Sequence, residues 1–407
     1  MSAADLDRLA QRLDPTHPQR LVAAPTPEPE LSLLHHFAGL TAPRLKRTRR
    51  HELTDILVIA LCAVLGGADS WNEIQAFGEA KKAWLGRFLA LPNGIPSHDT
   101  FNRVFAALDP EAFRACFTSW MSAVCARLGL KHVQIDGKAL RGSRGRKGGL
   151  GCLHTVSVWA AEAGLTLGQV AVGDKSNEIT AIPRLLELLD LSGALVSIDA
   201  MGCQKEVARQ IVEAGGDYLL AVKENQPTLH EEIRACFSEA LDGEFAGLRH
   251  GVHVSREEGH GRQEERIYSV IYDPPGLACK GDWPGLKAIV LVSRERREGD
   301  KVSHEASYYI SSSAAGVKRL AAGIRGHWGI ENKVHWLLDV TFHEDQSRAR
   351  AGHAAENLAW LRRVSLALLR QDDGPGSIKV KRKTAGWDTD FLERLLARLD
   401  HHFLPEK

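Results

Sequence analysis

The sequence predicts an α/β protein whose strands and helices alternate, with a small all-helical domain in front and a β-rich insertion within. Three observations carry this expectation. Apolar residues recur at helical spacing up to about residue 128, three β-like runs with short connections occupy 131–172, and strand-like and helix-like runs alternate from 178 to 241. The chain is organised around Val196-Ser197-Ile198-Asp199-Ala200-Met201-Gly202-Cys203-Gln204, a short apolar run, one aspartate, then small residues opening a helix-like segment. Residues 194–198 are too few for a helix and read as a strand buried on both faces, with Asp199 at its carboxyl end. The same grammar occurs in His132-Val133-Gln134-Ile135-Asp136-Gly137-Lys138. Two strands of one sheet would hold Asp136 and Asp199 close together. Paired carboxylates repel unless a cation lies between them, and oxygen-only ligation is what Mg²⁺ selects.

Taken in order, residues 1–30 are polar and carry Pro15, Pro18, Pro25, Pro27 and Pro29, which predicts a flexible arm. Residues 31–128 predict the helical domain, with Thr54, Ser70 and Ser97 as caps for helices over 55–65, 71–88 and 98–108. The turn at 92–96 and the helix behind it resemble part of a helix-turn-helix, and an ordinary helical hairpin explains them equally. Residues 129–241 predict strands at 131–136, 153–160, 165–172, 194–199 and 218–222 and helices at 178–189, 204–214 and 228–241, with Pro183 an awkward feature of the first. The order βββαβαβα, with acids ending the first and fourth strands, is what a ribonuclease-H-like fold requires. Three further strands (264–272, 286–293, 303–312) form the insertion at 242–313. His260, Gly261, Arg262 and Glu264 read as a surface hairpin. Helical periodicity returns over 314–338 and 354–369, closing the core at 314–372, and 373–407 is a basic, then amphipathic, tail.

The formal net charge is +1, from 52 Lys plus Arg against 51 Asp plus Glu, so the chain as a whole lacks the balance of a nucleic-acid binder. The local runs point to a polyanion: Arg44, Lys46, Arg47, Arg49 and Arg50; Lys138, Arg141, Arg144, Arg146 and Lys147; Lys379, Lys381, Arg382 and Lys383. Seven scattered cysteines without a C-x-x-C pair predict neither a zinc ribbon nor a disulfide framework, which fits a reducing cytosol. The most apolar segment, 56–68, is shorter than the roughly 20 residues a membrane span needs, and the amino terminus has no signal-peptide core. A cytoplasmic protein is expected.

A third acid is expected on the returning helix, where His327, Glu331, His335 and Asp339 recur every four residues and drift across one face. Here the residues carry a family resemblance. The blocks Ile135-Asp136-Gly137-Lys138-Ala139-Leu140-Arg141-Gly142-Ser143, Asp174-Lys175-Ser176-Asn177-Glu178-Ile179, Ile198-Asp199-Ala200-Met201-Gly202-Cys203-Gln204, Val222-Lys223-Glu224-Asn225-Gln226 and His327-Trp328-Gly329-Ile330-Glu331-Asn332 resemble transposases of the bacterial ISAs1 insertion-sequence family. That family includes the H-repeat-associated proteins and is related to the IS4 group. The resemblance covers nearly all of the chain. It implies a DDE recombinase in which Asp136, Asp199 and Glu331 hold two Mg²⁺ ions, with Mn²⁺ as substitute. The expected reaction is cleavage of DNA at the terminal inverted repeats and transfer of the 3′-hydroxyl into target DNA. One departure stands out: where the IS4 group carries Tyr, Arg, Glu and Lys, this chain has Ile324, His327, Glu331 and Leu338.

DNA contacts are expected from Lys138, Arg141, Lys223, Arg325, His327, Trp328, Lys333 and His335; Trp328 and Trp336 read either as core anchors or as stacking platforms. A homodimer is expected in the DNA complex, in a bacterial cytoplasm near the nucleoid. Three other readings compete: a zinc hydrolase using His327, Glu331 and His335, a non-catalytic transposase-derived DNA-binding or regulatory protein, and a ribonuclease-H-like nuclease or junction resolvase acting without strand transfer.

Overall fold

The helical spacing before residue 128 becomes α1 (Leu53–Leu65), α2 (Trp71–Ala80), α3 (Lys82–Leu85), α4 (His98–Ala107) and α5 (Pro110–Leu128). The computed structural model describes residues 37, 39–43, 50–128, 131–140, 153–160, 165–172, 178–187, 189–259, 261–330 and 334–397. Ser70 caps α2 through a capping box with Glu73, and the Ser97 hydroxyl accepts from Thr100 N–H at the start of α4. Two expected boundaries are corrected. Thr54 lies inside α1, whose N-cap is Glu52 with no side-chain cap. The helix expected over 71–88 ends at Ala80, and the chain turns so that Trp84 enters the core and its Nε1–H donates to Glu393 Oε1 at 2.8 Å.

These helices do not close a core of their own. Helix α11 (Ala354–Gln371), buried along nearly its whole length, packs on α1, α4, α5 and strand β3 (Leu165–Val172). Phe117 of α5 stacks on Trp360 of α11 with centroids 5.6 Å apart, and Asn357 Nδ2–H donates to the carbonyls of Phe105 and Leu108. Helices α12 (Ile378–Trp387) and α13 (Thr389–Ala397) complete this layer. The third basic run is therefore corrected in part. Lys381 and Arg382 are buried, and Arg382 donates to the carbonyls of Val64, Ala68 and Thr341 and pairs with Asp69 at 2.7 Å. A buried guanidinium must have such acceptors, so Arg382 is a clasp rather than a free cation.

Strands β1 (His132–Leu140), β2 (Leu153–Ala160) and β3 run antiparallel, and β4 (Leu195–Ile198) and β5 (Asp217–Val222) extend the sheet parallel to β1. Between them run α6 (Glu178–Leu186), a 3₁₀ turn (Ala200–Gly202) and α7 (Lys205–Glu213); α8 (Pro227–Asp242) follows β5. The insertion contains a fourth strand, β6 (His250–Gly259), besides β7 (Arg262–Tyr272), β8 (Ala288–Glu298) and β9 (Lys301–Ser311). Strand β6 is an edge strand of half-exposed and charged residues, a composition that carries little strand signal. The insertion also extends the core sheet, because β9 pairs antiparallel with β5. The order among the described strands is β3-β2-β1-β4-β5-β9-β8-β7-β6.

Val133, Ile135, Val196 and Ile198 face the core shared with α6 and α7. The opposite face is covered by α9 (Val317–Ile330), whose Leu320, Ala321 and Ile324 pack on Leu195, Leu219, Val270 and Val290. Burying each such leucine or isoleucine stabilises by about 1.5–3 kcal/mol. Close approach depends on two glycines. A Cβ at Gly323 would stand 2.9 Å from Leu195 Cδ2 and Leu219 Cδ2, and one at Gly326 would stand 3.0 Å from Gln134 Nε2 and His132 Cε1. Each interior glycine costs about 1 kcal/mol of helix propensity relative to alanine, offset here by the packing it permits. The helix expected over 314–338 is described as α9, then a wider turn at Val334 and His335, then α10 (Trp336–Val340). No described helix is long and apolar enough to cross a membrane.

Candidate active site

Alternation along β1 sends His132, Gln134, Asp136 and Lys138 to the face covered by α9 and α10, while Val133 and Ile135 point to the opposite core. On β4 the same face receives Leu195 and Ser197, and the chain beyond it carries Asp199. Ile135 pairs with Ile198 in the parallel ladder, so Asp136 and Asp199 occupy the next register position on strands about 4.8 Å apart. Both line one cleft of about 720 Å³. The cleft runs over the carboxyl end of β5 past Lys223 and Asn225 to Tyr308 and Tyr309 of β9, and His327 closes one wall.

Asp199 caps the 3₁₀ turn: its Oδ1 accepts the N–H groups of Met201 and Gly202 at 3.1 and 3.3 Å. This fixes the carboxylate while its other oxygen remains for the cleft. Asp136 Oδ2 stands 3.4 Å from His335 Nδ1, and the two side chains are 15% and 12% exposed. Burial, with Lys138 and Arg363 nearby, pushes the His335 imidazole down to about 3, so it is neutral at pH 7; its Nε2 is buried without a hydrogen-bond partner.

Behind the aspartates lies a file of polar side chains. His132 Nε2 and Ser197 Oγ are 2.9 Å apart, Ser197 Oγ and His327 Nδ1 3.2 Å, and Gln134 Nε2 stands 3.5 Å from His132 Nδ1. Burial lowers His132 to about 4, helped by His327 and Arg319; burial also lowers His327, against the opposing field of Asp199.

Lys138 departs from its expected place at a phosphate. It is buried, and its ammonium donates to Asp339 Oδ1 at 2.5 Å and Glu344 Oε2 at 2.8 Å. Arg363 of α11 donates to the other Glu344 oxygen at 2.9 Å. Burial opposes the charge on Glu344, but Arg363 and Lys138 outweigh it and hold the carboxyl down at about 2. Burial raises Asp339 despite the Lys138 contact. His343, in the left-handed region at φ 50°, turns the chain so that Glu344 points inward. The strand bearing Asp136 is thereby clasped to the helical layer.

Of the other expected contacts, Arg325 makes a bidentate pair with Glu257 of β6 at 2.7 Å, and this bond holds Glu257 below the usual carboxylate range. Lys223 is exposed at the cleft rim. Trp328 lies on α9, and its side chain falls outside the described residues, as do Glu331, Arg141 and Lys333 entirely. Three members of the expected four-residue recurrence reach one face of the sheet: His327 at Ser197, His335 at Asp136 and Asp339 at Lys138. Ser197, His132, Gln134, Glu344 and Arg363 were not singled out from the sequence. For the β1 residues a signal existed, since His-Val-Gln-Ile-Asp-Gly-Lys alternates polar and apolar; Glu344 lies in the stretch 338–345, which also matches the family's carboxyl-terminal pattern, but nothing local tied it to a lysine some 200 residues earlier or to Arg363.

Among the described residues no cluster of three His, Cys, Asp or Glu side chains stands ready to hold a metal. The donors present at the strand ends are two carboxylates sharing a cleft, an oxygen-only set that fits a hard divalent cation once a third ligand is added.

A sheet with paired aspartates at adjoining strand ends belongs here to a known class: the chain is a member of the transposase DDE-domain family, whose model, described as "Transposase DDE domain", matches residues 101–369. A second model, described as "DDE_Tnp_1-associated", matches residues 34–121. Among particular relatives, the chain is 40% identical over 371 residues to "Putative transposase YncI" of Escherichia coli O157:H7, covering 90% of this chain and 94% of that protein. It is 35% identical over 374 residues to "H repeat-associated putative transposase YhhI" of Escherichia coli strain K12, covering 90% and 97%. A solved piggyBac transposase synaptic complex with hairpin DNA aligns with TM-score 0.41 and 11% identity over 89% of this chain and 80% of that one.

Proposed function

We propose that this chain is a DNA transposase that cuts DNA at the ends of its element and joins the freed 3′-hydroxyl to target DNA, using Asp136, Asp199 and Glu331. The observation that carries the reading is the register: Asp136 and Asp199 follow a paired Ile135 and Ile198 on adjacent parallel strands and open into one cleft. The five strands β3-β2-β1-β4-β5, with β3, β2 and β1 antiparallel and β1, β4 and β5 parallel, support a ribonuclease-H-like core. Glu331 is assigned as the third acid because the residues four before and four after it, His327 and His335, both reach this site.

The three carboxylates would hold two divalent cations, Mg²⁺ or Mn²⁺, which supply charge stabilisation for phosphodiester cleavage. The chain's own residues do the rest. Asp199, held by two backbone N–H groups, and Asp136, held beside His335, present oxygens in a fixed relation. Lys223 at the rim offers a cation to the strand backbone. No side-chain nucleophile is needed, since water and then the 3′-hydroxyl attack. Bringing two DNA ends together points to at least two copies of the chain, a homodimer in the DNA complex. The intact pair of aspartates favours this reading over a non-catalytic regulatory descendant.

The test is cleavage and strand transfer on a labelled duplex carrying the element's ends in Mg²⁺. Asp136→Ala, Asp199→Ala and Glu331→Ala should each retain DNA binding and lose cutting; a variant that still cuts removes its residue from the triad, and cutting without strand-transfer product favours a nuclease.

A further inference from the structure

The turn that holds Asp199 is itself held. Asp199 Oδ1 accepts the N–H groups of Met201 and Gly202 at 3.1 and 3.3 Å. Each of these N–H groups shares a rigid planar unit with the carbonyl before it, and in a trans peptide the two point in opposite directions. Both carbonyls receive a side-chain amide. Asn225 Nδ2 donates to Ala200 O at 2.6 Å, across the same peptide plane as the Met201 N–H, and Gln204 Nε2 donates to Met201 O at 3.2 Å, across the plane of the Gly202 N–H. Gln226 Nε2 donates to Cys203 O at 2.9 Å, where the turn ends. A backbone carbonyl only accepts, so the N–H₂ group of each amide must face it and the direction of all three bonds is fixed. The turn's own backbone bonds, Gly202 N to Asp199 O and Cys203 N to Ala200 O, are both 3.2 Å, long for N–H···O, and a single 3₁₀ turn has poor hydrogen-bond geometry. On its inner side the turn has no spare room: a Cβ at Gly202 would stand 2.2 Å from Ile198 Cγ2 and 3.0 Å from Ile182 Cδ1.

We propose that Asn225, Gln204 and Gln226 are positioning residues that clamp the turn after Asp199 from its carbonyl side, so that the two N–H groups on the other side hold the carboxylate ready for a divalent cation in the cleft. The role toward the cation rests on the transposase reading; the clamp does not. A hydrogen bond at the carbonyl of a peptide unit also polarises it and strengthens the bond its N–H makes, so each amide acts on Asp199 through one peptide plane. Asn225 and Gln226 belong to the loop that follows β5, which also carries Lys223 at the cleft rim. The group that meets the strand backbone and the carboxylate that meets the cation are therefore set from one loop. This gives the two amides of Val222-Lys223-Glu224-Asn225-Gln226 a task that neither strand formation nor charge explains.

The experiment is ¹⁵N–¹H correlation spectroscopy of the full chain labelled with ¹⁵N-methionine, free of DNA and metal. The methionines are Met1, Met121 and Met201, so the Met201 amide is assigned from Met201→Leu. Asn225→Leu, at an exposed side chain, and Gln204→Leu should each move the Met201 signal toward its position in Asp199→Ala. In parallel, Mn²⁺ binding read by electron paramagnetic resonance should weaken about tenfold in Asn225→Leu, and Mg²⁺-dependent cleavage should lose about 10- to 100-fold in kcat, with KM for DNA and the urea midpoint near wild type. A Met201 signal unmoved by both variants overturns the clamp. A signal that moves while Mn²⁺ affinity and kcat hold at wild-type values, a wild type that binds no Mn²⁺, or a urea midpoint that falls along with cleavage overturns the role toward the cation. The expected Met201 shift and Mn²⁺ loss in a chain whose wild type cuts no DNA sink the transposase reading and leave the clamp standing.

Discussion

Replacing Lys138 with methionine separates two roles for this residue, a buried clasp and a phosphate contact. The side chain is 8% exposed and its ammonium bonds Asp339 and Glu344, whose side chains are 33% and 1% exposed. Removing one partner of a buried ion pair typically costs about 3–5 kcal/mol, because the remaining charge is left uncompensated. Two features pull the figure to the lower end. Arg363 keeps its hold on the other Glu344 oxygen at 2.9 Å, and water reaches Asp339, whose share must be discounted for screening. Lys138→Met should therefore lose roughly 3 kcal/mol of stability. Adding Glu344→Gln to Lys138→Met should cost much less than the sum of the single changes, leaving a coupling of about 2 kcal/mol. The assay is urea unfolding at pH 7 followed by circular dichroism, with the slope compared across variants. A loss below about 1 kcal/mol, with additive double variants and a flatter salt dependence of DNA binding, would refute the clasp and restore Lys138 to the phosphate.

Acid should destabilise the chain early. His132 and His335 are held at about 4 and about 3, below the ordinary 6.5, so the unfolded chain takes up their protons first; stability is full above about pH 6.5 and should fall by roughly 2.7 kcal/mol per pH unit down to about pH 4, as read by urea midpoints between pH 7 and 5. Glu344 adds a loss only between about pH 4.5 and 2, since its folded value is depressed. Gly386→Ala should cost about 1–3 kcal/mol in thermal or urea unfolding, because the new Cβ overlaps the backbone carbonyl of Gly66, which cannot rotate away. His343→Gly should be neutral or stabilising by up to about 1 kcal/mol, whereas His343→Val should destabilise by at least about 1 kcal/mol; equal behaviour of the two would show that the left-handed backbone carries no cost.

The residues that announce themselves locally were legible in the chain. Aliphatic runs ending in Asp136 and Asp199 read as strands with acids at their carboxyl ends, and the order of strands and helices from 131 to 242 forms as the pattern implied. Ser70 and Ser97 cap where a hydroxyl before an apolar-periodic run says they should. Such features depend on neighbours within a few residues, so periodicity and turn chemistry contain them. Charges were misread where their partners lie far along the chain: Lys138 meets Asp339 and Glu344, and Arg382 meets Asp69 and the carbonyls at the end of α1. A lysine that solvates freely and one that clasps a strand to a helix look alike in sequence. The pairing of β9 with β5, the edge strand β6 and the seat that Gly323 and Gly326 make for α9 likewise exist only once the sheet is assembled, because each is a contact between elements that carry no local sign of one another. The amino-acid sequence determined which groups are available for chemistry; the tertiary structure decided which of them are spent on holding the site, since burial and long-range pairing set the energy of a charge more than its identity does.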